Sequence, residues 1–179
     1  MTTSTTGAIP ALRGYRAQFL YNLYRLIHAQ EEEIFHPEKQ EDYTVIVSGR
    51  MTEVAQVKTG KLTLSALEPI KENSYFRRLI QIMAQGESPR FVLVSFGELG
   101  EDFTHFQEKC DKTSLLQKLT QSYGYNVTVT ATMLDHLQVL KVNEKEIEQS
   151  IYNYLSETVC AIDPNIAKEL LLYWLYLAA

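Results

Sequence analysis

The stretch Arg90-Phe91-Val92-Leu93-Val94-Ser95-Phe96 constrains the fold more than any other part of this chain. It is a continuous apolar run of strand length, with Pro89 before it and Gly97 after it. Side chains of a strand alternate between two faces, so a run that is apolar at successive positions needs cover on both. Helices packed on either side of a sheet supply that cover, and the expectation is an α/β domain.

The flanking segments fill in the layers. Over residues 11–33, Tyr15, Phe19, Leu23, Leu26 and Ile27 recur at helical spacing. Pro10 precedes them, where a missing N–H costs nothing. Ile34-Phe35-His36 predicts a short strand broken by Pro37. Residues 41–48 and 53–58 predict two more strands, joined by a turn at Gly49-Arg50-Met51-Thr52. A polar stretch follows Gly60, and residues 75–85 predict a helix closed by Gly86.

After the apolar run, residues 115–123 predict a helix, and the alternating β-branched pattern of 125–130 predicts a strand. Helices follow at 143–158 and from Pro164 onward, with Asp163 as N-cap and proline at the first helical position. The expected architecture is a small mixed sheet flanked by helices, with a helical C-terminal part. Residues 1–10 read as a flexible lead-in and 11–179 as one domain, a length that can bury a sizeable core. The strongly apolar last helix carries no C-cap, which implies a segment of a longer protein or a helix packed on a partner.

Composition excludes several classes. With 45% hydrophobic and 22% charged residues the chain is an ordinary globular protein. No apolar run approaches the roughly 20 residues that span a bilayer. The N-terminal Met1-Thr2-Thr3-Ser4-Thr5-Thr6-Gly7 lacks the basic and apolar parts of a secretory signal. Cys110 and Cys160 are far apart and have no partner at metal-ligand spacing; free thiols in a reducing cytoplasm fit that usage. The four histidines, His28, His36, His105 and His136, are scattered. A net charge of −5 opposes wholesale binding of nucleic acid, so any such contact must use a local patch or an assembly.

The residues that carry chemistry cluster between 38 and 58. Gln56 and Lys58, two apart in a strand, share one face, and a hairpin can set Asp42 opposite them. An acid, an amide and a lysine at the end of an apolar sheet can hold a divalent cation against a phosphodiester. Asp42 would be the direct ligand of Mg²⁺ or Mn²⁺, Gln56 would add a neutral carbonyl oxygen, and Lys58 would orient water or stabilise the phosphoryl oxygens. Glu38 or Glu41 could supply a second acid. The bland alternative is that these are solvated strand ends, that Gln18 is a polar-face residue, and that Arg77-Arg78 is an exposed basic face rather than a phosphate contact.

The order Gly14-Tyr15-Arg16-Ala17-Gln18, then Glu38-Lys39-Gln40-Glu41-Asp42, then Val54-Ala55-Gln56-Val57-Lys58 resembles the PD-(D/E)xK restriction-endonuclease superfamily. Within it the pattern is similar to the Mrr-like branch and to the double-stranded-DNA endonuclease domains of bacterial anti-phage effectors, which carry Gln-x-Lys in the last motif. Gln18, Asp42, Gln56 and Lys58 match the motif positions one by one. The resemblance implies a restriction-endonuclease-like core and a metal-dependent endonuclease acting on double-stranded DNA. It also implies a following sensor or NTPase module, while the overall acidity predicts that activity on DNA needs assembly into a homo-oligomer. Two acids common in the superfamily are amides here, at 18 and 56, so a single-metal site and an inactive copy are both compatible with it. The same residues would serve RNA; groove shape and the 2′-hydroxyl decide between the two. An interaction module, with Tyr173, Trp174 and Tyr176 of the last helix as its contact surface, is the alternative from another class.

Overall fold

A computed structural model of the protein describes residues 8–37, 41–68, 74–109, 111–158 and 163–178. Glu38, Cys110 and Cys160 lie outside the described residues, as do the side chains of Trp174 and Tyr176. The described chain begins with α1 (Ala8–Ile27), β1 (Ile34–Pro37), β2 (Tyr43–Val47) and β3 (Arg50–Lys58). It continues through α2 (Leu64–Leu67), α3 (Tyr75–Ala84), β4 (Arg90–Ser95), α4 (Glu101–Lys109), α5 (Thr113–Tyr123) and α6 (Val127–Asp135). It ends with β5 (Leu137–Lys141), α7 (Glu144–Thr158) and α8 (Pro164–Ala178).

The fold is α/β, with one five-stranded mixed sheet in the order β1-β2-β3-β4-β5 flanked by helices. β1, β2 and β3 form an antiparallel meander, and β3, β4 and β5 run parallel. The apolar run is the central parallel strand β4. Val92 and Val94 pack into a core with α1, α7 and α8, while Phe91 and Leu93 pack into a second core with α3, α4, α5 and α6. Both crossovers, through α2–α3 and α4–α6, lie over that second face. Each fully buried Leu or Phe stabilises the fold by about 1.5–3 kcal/mol relative to exposure, so the two-faced strand anchors both layers.

Several sequence expectations are corrected. The first helix runs from Ala8 to Ile27, so residues 8–10 of the expected lead-in are helical with Pro10 in the first turn, and the chain then turns before β1; the acidic run Glu31-Glu32-Glu33 would oppose the negative end of the helix dipole. The hairpin turns at Ser48-Gly49, both with positive φ as a two-residue hairpin connection requires, so β3 begins at Arg50 within the segment read as turn. Residues 125–130 do not form a strand. Asn126 caps α6 by accepting a hydrogen bond from the Val129 N–H at 3.1 Å. The hydroxyls of Thr130 and Thr132 bond back to carbonyls four residues earlier, so these β-branched residues fit a helix. The last parallel strand is instead β5, whose Leu137 and Val139 enter the second core. α2 and α4 fill segments read as loop.

Candidate active site

Parallel strands bring their carboxyl ends to one edge, and in open α/β sheets that edge is where ligands bind. Here Lys58 of β3 is in register with Ser95 of β4, and Ser95 with Lys141 of β5. Beside the end of β3 lies a cleft of about 380 Å³. Tyr15 and Gln18 of α1 form one wall, with Asp42 from the entry to β2 and Val57, Lys58 and Gly60 from the end of β3.

Asp42 is pinned from three sides. Its N–H donates to the Ala55 carbonyl at 3.0 Å, its carbonyl accepts from Asn22 Nδ2 at 3.1 Å, and its Oδ2 accepts from the Val57 N–H. The carboxylate therefore lies against the peptide that links Gln56 to Val57. Lys58 is half-buried at the strand end, and among the described residues no carboxylate pairs with it.

Gln56 is 8% exposed. Its Nε2 donates to Glu41 Oε2 at 3.0 Å, and its Oε1 is buried with no hydrogen-bond partner among the described residues. Glu41 is gripped in turn by Arg78 of α3, through Nε to Oε1 and through a second guanidinium nitrogen to Oε2 at 3.0 Å. The hydrogen bond to Glu41 is the first cause that holds the Arg78 guanidinium charged above its ordinary range. Tyr75, at the start of α3, is fully buried with its hydroxyl unpartnered among the described residues. Burial, and then the nearby Glu41 and Asp42 charges, push its ionisation well up, so the group is a neutral phenol.

The structure thus gathers Gln18, Asp42 and Lys58 around one cleft and leaves Gln56 just outside its lining, turned to Glu41. Glu41 does not line the cleft; its carboxylate faces Arg78 and Gln56. Gln18, read as a polar-face residue, is 7% exposed. Arg77 is exposed on α3, whereas Arg78, paired with it in the sequence reading, is committed to Glu41. Sequence reasoning missed Tyr15 as a cleft residue, and missed Asn22 and Tyr75. Gln18 and Asn22, four apart on an otherwise apolar helix face, were the available signal for Asn22.

Asp42 offers the cleft a carboxylate, and Gln56, next to its lining, carries a buried amide oxygen with no donor among the described residues; both are oxygen types that a hard divalent cation takes. Among the described residues no group of three or more His, Cys, Asp or Glu could hold a metal, so Asp42 and Gln56 would depend on water and substrate oxygens to complete the shell.

No family model matches the chain, and no curated protein matches it. A solved structure that shares the fold is the Moraxella osloensis Cap4 SAVED/CARF-domain containing receptor, with a TM-score of 0.59 and 16% identity. The likeness covers 93% of this chain and 43% of that one, so the chain spans less than half the length of the receptor chain it matches. At that identity the likeness establishes the shared α/β architecture.

Proposed function

We propose that this chain is a metal-dependent DNA endonuclease domain of the PD-(D/E)xK type, in its Gln-x-Lys form, serving as the effector part of a bacterial anti-phage protein. The observation that carries the reading is the cleft at the carboxyl edge of β3. Three motif positions from three separate segments, Gln18, Asp42 and Lys58, line it together. The defence context is supported by the sequence resemblance and by the shared fold with a Cap4 receptor chain.

Asp42 and Gln56 would hold Mg²⁺ or Mn²⁺. When bound, such an ion supplies a polarised phosphoryl oxygen and a more acidic water. The protein's own part is positional and electrostatic. The Asp42 N–H donates to the Ala55 carbonyl and the Asp42 carboxylate accepts from the Val57 N–H, so backbone and side chain of the acid are held before substrate arrives. The Lys58 ammonium, two residues from Gln56, neutralises charge that builds on the phosphoryl oxygens as water adds to phosphorus. Gln18 faces the same space as a hydrogen-bonding wall.

The test is cleavage of plasmid DNA by the purified chain with Mg²⁺, with Mn²⁺ and with EDTA. Metal-dependent nicking is expected, with Lys58→Ala or Asp42→Ala lowering the rate at least about 100-fold while circular dichroism stays unchanged. Cutting that survives both substitutions would place the chemistry elsewhere. A second reading is favoured by one observation: Ile166, Leu170 and Tyr173 form an exposed apolar stripe on α8. A non-catalytic module would use that stripe and lose nothing on substitution of Lys58.

A further inference from the structure

The link Arg78–Glu41–Gln56 has a direction imposed by its chemistry. An ionised carboxylate only accepts hydrogen bonds, so the Glu41 oxygens require donors from both neighbours. Arg78 supplies two from one side and the Gln56 NH₂ supplies one from the other. A glutamine amide has two orientations that differ by exchange of O and NH₂. Facing Glu41 only one is tolerated, because the other sets the amide oxygen against the carboxylate. The Gln56 Oε1 is thereby turned away from Glu41, and it is the atom left without a partner among the described residues. Glu41 itself is withheld, its side chain 4% exposed and held by a fork of two guanidinium nitrogens.

We propose that Glu41 and Arg78 are positioning residues: they lock the Gln56 amide with its carbonyl oxygen presented as a ligand for a divalent cation. Glu41 is then no second acid of the site, and Arg78 no DNA contact. The inference rests on the metal-site reading above and specifies how a glutamine can replace the acid common at that position. Outer partners that orient a metal ligand typically change metal affinity 10–100-fold when removed.

The test is Mn²⁺ binding to the full chain by titration calorimetry, which needs no turnover. Glu41→Gln preserves size but can offer Gln56 either an oxygen or an NH₂, so it no longer selects one amide orientation. It should weaken Mn²⁺ binding about 10-fold or more at unchanged stoichiometry. In a Gln56→Ala background the same substitution should have no further effect, since Glu41 acts only through Gln56. Arg78→Gln should also weaken binding, and Arg78→Lys should recover most of it. Each variant is checked for folding by its thermal melt, and the near-isosteric Glu41→Gln carries the test if an Arg78 variant does not fold.

Opposite signs would overturn the proposal. If Glu41 were itself a ligand, Arg78→Gln would free it and tighten binding, and Glu41→Gln would still weaken binding without Gln56. Glu41→Gln binding Mn²⁺ as tightly as the parent, while Asp42→Ala does not bind, ends the proposal and leaves the metal site standing. A parent chain that does not bind Mn²⁺, or an Asp42→Ala variant that binds it undiminished, ends the metal-site reading and the proposal with it.

Discussion

Glu53 shows how much a single buried carboxylate can organise. It is 3% exposed and accepts from the Tyr43 hydroxyl, from Arg25 Nε at 3.2 Å and from Arg90. These partners come from β2, α1 and β4, so one side chain of β3 ties three elements together. Burial first, and then the Glu53 charge, push the Tyr43 hydroxyl far above its ordinary range, so it remains a donor at every pH where the protein folds. Glu53→Ala leaves the buried Tyr43 phenol without its acceptor and takes from Arg25 one of its two carboxylate partners; a loss of about 3 kcal/mol is expected in urea unfolding. Asp42 and Lys58 contrast with this closed network because they border open space, which is the condition for chemistry rather than for stability.

Between elements, close approach and charge decide the fit. A Cβ added at Gly97 would lie 2.3 Å from the Gly60 carbonyl oxygen, so the loops after β3 and β4 meet backbone to backbone. Gly97→Ala must displace Gly60, which lines the cleft. Overpacking of this kind costs about 1–3 kcal/mol; on the nuclease proposal, DNA cleavage should fall more than the melting temperature predicts, as activity and thermal melts on one sample would show.

The end of α1 is clasped to the approach to β1 by Arg25 and Glu33, at 2.7 and 2.9 Å. The Arg25 hydrogen bond, first among the causes, holds the Glu33 carboxyl below its ordinary 4.5. A depressed carboxyl adds stability that is present above the unfolded value and lost as pH falls through the folded one. Glu33→Gln should therefore melt about 2–3 °C lower at pH 7. The gap to the parent should close as pH drops below about 4.5, a trend that thermal melts across pH would reveal.

At the scale of the whole molecule, the sheet separates two cores that share its central strands. Leu93 serves the core under α3–α6 and Val94 the core under α1, α7 and α8. Leu93→Ala should cost about 2–5 kcal/mol. Because β4 belongs to both layers, far- and near-ultraviolet circular dichroism should still report one coincident unfolding transition. Two separate transitions would mean that the layers fold independently.

The two-faced apolar run of β4, the amphipathic α1 and the Asp163-Pro164 helix start were legible from residue order alone. Each follows from a rule that acts over a few neighbours: alternation, helical spacing, or a missing N–H. Gln18, Asp42 and Lys58 of the cleft could be named from their order, whereas Tyr15 was not, and Gln56 and Glu41, named with them, lie outside its lining. What residue order did not contain was the tertiary outcome at 125–134. There a capping Asn126 and the burial of Met133 and Leu134 against neighbouring helices outweighed β-branched preference and made a helix. Nor did it show that Gln18 is buried by the docking of α1, or that Arg78 reaches Glu41 across 37 positions of sequence. Those pairings depend on hairpin register and on where α3 settles over the sheet, and both are fixed only when the two cores close.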